Sequence, residues 1–94
     1  MKKGEKMRQS CLECGLKHVG KAIILLSESE LGYPMHFWLA LANLSEAEDE
    51  LVSKYPKLAA KIRKLRIEIE KDKNKGIELM KILEELDKLN KKEK

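Results

Sequence analysis

The feature that most constrains this chain is a set of apolar residues that recur every three or four positions along most of its length. In the second half they keep one seven-residue register: Leu51, Tyr55, Leu58, Ile62, Leu65, Ile69, Leu79, Leu83 and Leu86. This spacing places apolar side chains on one face of an α-helix. Strong helix formers dominate the composition, and only two prolines occur in 94 residues. The sequence therefore predicts an all-α protein.

Glycine and proline mark the ends of the predicted helices. Helix 1 is expected over about 15–31 and helix 2 over about 35–54, joined by a short connector from Gly32 to Pro34. A connector of this length makes helices 1 and 2 an antiparallel hairpin. Pro56 starts helix 3, and a cluster of Asp, Asn and Gly favours a turn before helix 4. We expect a small antiparallel bundle of three or four helices, the alternative being that helices 3 and 4 continue as one long helix that dimerises.

The length of the chain limits its core. At 94 residues, only about 60–65% of the unfolded surface can be buried, so the fold gains from a metal, a disulfide or a partner subunit. The first ten residues are polar and basic without periodicity. They are predicted to be a flexible basic arm (1–10), followed by a single helical domain (11–94). The small core and the long apolar stripe together predict a homo-oligomer that buries helices 3 and 4.

Cys11, Cys14 and His18 form a chemically distinctive cluster in the run CLECGLKH at the start of helix 1. The two-residue gap lets both sulfurs reach one ion, and a histidine four residues after Cys14 lies one helical turn further along the same face. A helix N-terminus favours thiolates, which serve metal binding and redox chemistry alike. The cluster predicts a bound zinc ion. The alternatives are a redox-active pair, or two buried thiols beside an ordinary surface histidine.

The hairpin geometry selects candidates for a fourth zinc ligand. Residues that face each other across the turn have numbers that add to about 66, which brings the start of helix 1 near residues 46–52. Glu50 is the preferred fourth ligand, with Glu46 and Asp49 as alternatives, whereas His36 should lie about 20 Å from the cluster. The favoured function is a zinc-stabilised helical interaction or assembly module of phage or mobile-element origin, without catalysis of its own. A protein partner is compatible with that function.

The redox alternative rests on a resemblance. The run CLECGLKH resembles the CxxCxxxH motif of the alkylhydroperoxidase-D and carboxymuconolactone decarboxylase families, which are all-α. The resemblance implies a thiol–disulfide oxidoreductase or peroxidase in which Cys14 is the peroxidatic cysteine, Cys11 resolves and His18 belongs to the proton relay. In that case these three residues would be catalytic.

A second resemblance covers more of the chain. The runs CLECGLKH, GYPMH and LSEAEDEL occupy residues 11–18, 32–36 and 44–51. They are similar to a CxxCxxKH, GYPxH and LxEAEDE pattern in small uncharacterised helical proteins of prokaryotes and their phages. This resemblance implies one compact helical unit and no particular activity.

Helix 2 carries a second candidate polar site. His36, Asn43 and Glu50 are seven residues apart and therefore line one face of the helix. The end of helix 1 should bring Glu28 or Glu30 close to His36. The functional interpretation is a polar pocket made by His36, Asn43 and Glu30, and the alternative is a histidine at a solvated helix edge.

Charge is segregated along the chain. Residues 22–53 contain six acidic side chains and no Lys or Arg, whereas residues 54–75 contain nine Lys or Arg and three acidic side chains. The basic strip of helix 3 makes nucleic acid a third candidate partner. This strip consists of Lys57, Lys61, Arg63, Lys64, Arg66 and Lys71. Glu68 and Glu70 interrupt the strip and it has no aromatic residue for base stacking, so such binding should be weak. The alternative is that the strip pairs with the acidic helix 2.

The hydropathy of the chain predicts its location. No apolar run approaches the roughly 20 residues of a membrane span, and the N-terminal run MKKGEKMRQS lacks the apolar stretch of a secretory signal. A cytoplasmic location without a membrane partner is expected.

Overall fold

The computed structural model describes residues 11–93, which form four α-helices. They are α1 (Leu12–Glu30), α2 (Pro34–Leu51), α3 (Pro56–Lys71) and α4 (Leu79–Glu93), with a 3-10 helix (Lys73–Glu78) before α4. These residues include no strand, which confirms the all-α prediction. The predicted basic arm, residues 1–10, lies outside the described residues.

Two helix ends differ from the sequence-based expectation. Helix α1 begins three residues earlier than expected because Cys11 occupies its N-cap, where the Sγ atom accepts a hydrogen bond from the Cys14 backbone N–H at 3.1 Å. Helix α2 ends at Leu51 rather than near residue 54. Pro56 disfavours helical geometry at Tyr55, which has φ −126° and ψ 61°, and the chain turns there into α3.

The break between helices 3 and 4 lies where the Asp, Asn and Gly cluster predicts it. Asp72 leaves the helical region with φ −147° and ψ 103°, and its carboxylate accepts a hydrogen bond from the Asn74 backbone N–H at 3.1 Å. The carboxylate thereby caps the 3-10 helix that leads into α4. Helices 3 and 4 are therefore separate elements, and the alternative of one continuous helix is wrong.

Successive helices run antiparallel and form an up-down-up-down bundle. The α1–α2 hairpin is its centre, α3 packs mainly on α2, and α4 packs mainly on α1. The direction of α4 follows from its neighbours in α1, since Gly76 lies against Leu26 and Leu83 lies opposite Gly20. The prediction of a small antiparallel bundle with a hairpin at Gly32 is confirmed.

The core is built from the apolar stripes of all four helices. Its largest fully buried side chains are Leu44, Leu51, Ile62, Ile69, Leu79, Leu86 and Val19. The seven-residue stripe of α3 and α4 is thus covered largely within one chain, and homo-oligomer formation stays a prediction. Among the described residues, no helix is both long and apolar enough to cross a membrane.

Candidate functional site

The Cys-x-x-Cys cluster lies where the start of α1 meets the end of α2. The backbone N–H of Cys11 donates a hydrogen bond to the Glu50 backbone carbonyl at 3.0 Å. This bond ties the residue that caps α1 directly to the last turn of α2. The two helices therefore place the cysteines and the side chain of Glu50 in one corner of the molecule.

Cys11 and Cys14 are joined by a disulfide bond, with their Cα atoms 5.2 Å apart. The bond spans the first turn of α1, where residues three apart lie on the same side of the helix. Both cysteines are partly exposed. The N–H of Cys14 points at Cys11 Sγ, so a backbone donor is in place to stabilise negative charge on that sulfur.

His18 is held between two oxygen atoms. Its Nδ1 lies 2.8 Å from Glu50 Oε1 and 3.1 Å from the Cys14 carbonyl oxygen. Because both oxygens are acceptors, we assign the proton to Nδ1, which leaves Nε2 unprotonated in the neutral imidazole. The side chains of His18 and Glu50 are 29% and 23% exposed. His18 is therefore oriented as a base whose free nitrogen is Nε2.

The hairpin geometry identified the carboxylate of this site. Of the three acidic candidates on α2, Glu50 contacts His18, whereas Glu46 and Asp49 are exposed. The prediction that His36 lies at the other end of the hairpin is also confirmed, since its nearest carboxylate is Glu28.

The donor atoms predicted for zinc are engaged with one another. The two sulfurs share a covalent bond, and one oxygen of Glu50 accepts from His18. Accordingly, residues 11–93 contain no group of three or more His, Cys, Asp or Glu side chains arranged around a metal position. Zinc binding stays a prediction, and it concerns the protein with its cysteines reduced.

No protein-family model, curated protein or solved structure matches this chain. The two resemblances drawn from the sequence therefore stay predictions.

The second candidate polar site is only partly assembled. His36 Nδ1 lies 2.8 Å from Glu28 Oε1, but the angles are not those of a hydrogen bond and Nδ1 is buried without one. The imidazole stacks on Tyr33, with ring centroids 5.3 Å apart. Asn43 instead donates to the Leu39 carbonyl of its own helix at 2.8 Å. Glu30 is exposed, so the carboxylate beside His36 is Glu28 rather than Glu30.

The basic strip of α3 is partly neutralised within the chain. Arg66 Nε lies 2.6 Å from Glu48 Oε2, and Arg63 Nε lies 3.9 Å from Glu48 Oε1. Lys61 pairs with Glu85 of α4 at 3.3 Å. Pairing between the acidic helix 2 and the basic helix 3, one of the two sequence-based alternatives, is thus present in the fold.

Sequence reasoning did not single out two lysines that lie beside the site. Lys17 and Lys21 line an open groove together with Cys14, His18 and other residues of α1. Their spacing could have indicated this position. Lys17 follows Cys14 by three residues and Lys21 follows Lys17 by four, so all three lie on one face of the helix. The hairpin geometry places Glu50 near this end of α1, but the sequence does not indicate that Glu50 lines one groove with the two lysines.

Proposed function

We propose that this chain is a thiol–disulfide redox protein in which Cys11 and Cys14 cycle between a disulfide and a dithiol. The observation that carries the proposal is the disulfide on the first turn of α1 beside a histidine whose Nδ1 proton is held by Glu50. A redox cysteine pair requires two sulfurs within bonding reach, a means of stabilising a thiolate and a base for the thiol proton. The corner formed by α1 and α2 offers all three.

The geometry favours different roles for the two sulfurs. Cys14 and His18 line the same groove, which favours attack of an incoming thiol on Cys14 Sγ. As the new S–S bond forms, the Cys11–Cys14 bond breaks and Cys11 leaves as a thiolate stabilised by the Cys14 N–H. His18 Nε2 accepts the proton of the incoming thiol. A second thiol then completes the two-electron reduction, releasing its disulfide and leaving two protein thiols.

In the oxidising direction the same steps run backwards. Cys14 forms the mixed disulfide with the substrate, and Cys11 attacks that bond to restore the protein disulfide. The alkylhydroperoxidase-D resemblance implies the same order, with Cys14 reacting first and Cys11 resolving. In the cytoplasmic location that the sequence predicts, a disulfide is typically transient and either catalytic or redox-sensing.

The proposal is tested by titrating the pair in buffers of defined redox potential. Thiols are alkylated and counted by mass spectrometry after equilibration. We expect both thiols to appear together in one reversible two-electron transition within the range of cellular thiol couples, about −120 to −300 mV. In Cys14→Ser only one thiol per chain should be counted, and that count should show no reversible transition with the redox potential. A pair that stays oxidised well below about −300 mV would identify a purely structural disulfide, and a pair that never re-forms its disulfide would contradict redox cycling.

Zinc binding by the reduced protein is a second candidate function, favoured by the Glu50 contact to His18. A carboxylate on the Nδ1 proton of a histidine is the usual outer partner of an imidazole that binds zinc through Nε2. Cys11, Cys14 and His18 would then be the protein ligands, and Glu50 would orient His18 rather than bind the ion directly. In this state the chain would act as a zinc-stabilised interaction or assembly module.

Metal analysis separates the two candidates. Protein reduced and dialysed against zinc should retain about one equivalent per chain if the second candidate holds. That zinc should be lost in Cys14→Ser and retained in His36→Ala, whose imidazole lies at the other end of the hairpin. Absence of retained zinc from reduced, folded wild-type protein would remove this candidate and leave the redox proposal intact.

A further inference from the structure

The groove beside the disulfide has the size of a small-molecule site. Its volume is about 520 Å³, within the range of about 300–1,000 Å³ that is usual for small ligands. Along α1 it extends from Cys14 past Gly20 to Ile24, and Glu50 of α2 contributes to its wall. A ligand in this groove would lie along α1 with one end at the reactive sulfur.

The charge at this groove is basic and unpaired within the described chain. Lys17 and Lys21 line it, and neither forms an ion pair with any residue between 11 and 93. The carboxylate in the wall, Glu50, is already in contact with His18. By contrast, Arg66 of α3 pairs with Glu48. Among residues 11–93, no carboxylate therefore competes with an anionic ligand for these two ammonium groups.

The positions of the lysines define where the negative charges of that ligand should lie. Lys17 and Lys21 follow Cys14 by three and seven residues, which is about 4.5 and 10.5 Å along the helix axis. Two or three residues of extended peptide cover about the same distance. The methylene stems of both lysines and the exposed Ile24 provide apolar contact between the charged ends.

We propose that the groove binds a low-molecular-weight, peptide-like thiol that carries carboxylates and presents its sulfur to Cys14. The inference rests on the proposed redox function, for which it names the class of electron donor. The bound thiolate attacks Cys14 Sγ, and Cys11 leaves as a thiolate. A second molecule of the same thiol attacks the mixed disulfide at the sulfur of the first molecule, which frees Cys14 and releases the oxidised donor as its disulfide.

Rates of disulfide reduction by thiols of different charge test this proposal. The probes are glutathione (anionic), 2-mercaptoethanol (neutral) and cysteamine (cationic), each normalised to its own rate with an uncharged model disulfide. We expect glutathione to be favoured over 2-mercaptoethanol by about fivefold, the size expected for one or two exposed ion pairs, with cysteamine disfavoured. Raising the salt concentration to about 0.5 M should reduce the preference, because the charges are exposed and therefore screened by salt.

Two matched double variants locate the preference. In Lys17→Gln with Lys21→Gln the normalised rates for glutathione and 2-mercaptoethanol should become equal. The control is Lys64→Gln with Lys81→Gln, which removes the same charge from a different groove between α3 and α4 and should retain the preference. Equal rates for the three probes in wild-type protein, or a preference that survives loss of Lys17 and Lys21, would overturn the inference.

The source of the thiol is tested with a ten-residue peptide whose single cysteine is flanked by acidic residues. If this peptide reduces the disulfide much faster than glutathione, the donor is a protein and the small-molecule proposal is wrong. Dithiothreitol distinguishes failure of the inference from failure of the proposed function. If this uncharged thiol cannot reduce the disulfide reversibly, the redox function itself fails, whereas normal reduction without charge preference overturns only the donor class.

Discussion

At the residue scale, Cys11 has two structural roles that a free surface cysteine would not have. It caps α1 through its sulfur and is tied to α2 through its backbone N–H. Both contacts fix the position of the sulfur before any chemistry takes place. Because the same sulfur accepts the Cys14 N–H, reduction of the disulfide would leave a charge that is already solvated by the backbone.

The contact between His18 and Glu50 yields a prediction about rate rather than stability. Glu50→Gln keeps the shape of the side chain but replaces the carboxylate that orients His18 through Nδ1, so thiol–disulfide exchange should slow by about tenfold. Because both side chains are partly exposed, the free energy of unfolding should change by no more than about 1 kcal/mol. The control Glu46→Gln alters an exposed carboxylate on the same helix and should leave both quantities unchanged. Exchange at the wild-type rate in Glu50→Gln would show that His18 needs no orienting carboxylate.

Two glycines of α1 should respond oppositely to the same substitution. A Cβ on Gly15 would lie 3.0–3.1 Å from three side-chain atoms of Leu51, which is fully buried and therefore surrounded by packed neighbours. Gly15→Ala should lower the free energy of unfolding, because an overpacking cost of about 1–3 kcal/mol exceeds the gain in helix propensity of about 0.5–1 kcal/mol. A Cβ on Gly20 meets Leu83 at an ordinary 4.0 Å. Gly20→Ala should therefore raise the free energy of unfolding by about 0.5–1 kcal/mol, because alanine favours the helix. Denaturant titration measures both values, and a stabilising Gly15→Ala would mean that α1 and α2 are less closely packed than described.

At the element scale, the α1–α2 hairpin depends on one backbone conformation. Gly32 has a φ of 113°, and a Cβ there would meet nothing within 4 Å. Any cost of substitution is therefore conformational rather than steric crowding by neighbours. Gly32→Ala should lower the free energy of unfolding by about 1–2 kcal/mol.

A synthetic chain with D-alanine at position 32 provides the control for the hairpin prediction. D-residues favour positive φ, so this chain should be at least as stable as wild type in the same denaturant titration. Equal destabilisation by both enantiomers would contradict a conformational cause.

The packing of α3 against α2 limits the affinity of the basic strip for nucleic acid. Glu48 holds Arg66, and more distantly Arg63, so these side chains are engaged within the chain. We expect affinity for duplex DNA to be weak and to fall steeply with salt, since the strip provides charge without a base-reading surface. Glu48→Gln should strengthen this binding modestly by releasing the arginines. Fluorescence anisotropy at several salt concentrations measures it, and tight, sequence-selective binding at high salt would contradict the prediction.

At the scale of the whole molecule, the disulfide contributes little to the fold. It closes a loop of only four residues, for which chain entropy gives about 2 kcal/mol. The buried hydrophobic core includes neither cysteine. Reduction should therefore lower the free energy of unfolding by no more than about 2 kcal/mol and leave the helical circular dichroism unchanged. Unfolding on reduction would contradict this, and restoration of the reduced fold by added zinc would support the metal candidate.

The fold restricts the surfaces that a predicted homo-oligomer could use. The apolar stripe of α3 and α4 predicts an oligomer, but Ile62, Ile69 and Leu86 of that stripe are fully buried in one chain. An oligomer would have to use other apolar side chains, such as the exposed Met35 and Trp38 at the hairpin turn. Sedimentation equilibrium measures the association state directly.

Local sequence determined the helices, their approximate ends and the spacing of the cluster. The apolar periodicity, the prolines and the glycines determine the backbone conformation only of nearby residues. The start of α3 at Pro56 and the break after Asp72 were therefore predictable. The hairpin rule extended this to a contact 32 residues apart, and it narrowed the partner of His18 to a few acidic side chains on α2. The sequence favours Glu50 among them, and the rotation of each helix about its axis determines that the Glu50 carboxylate contacts His18.

Tertiary packing decided the remainder of the site. The capping contact of Cys11 depends on how α1 meets α2, and the capture of Arg66 by Glu48 depends on how α2 meets α3. The lining of the groove beside Lys17 and Lys21 is completed by Glu50 of α2. Such features depend on which face each helix presents to its neighbours, and that is determined by the packing of the whole core rather than by any local run of residues.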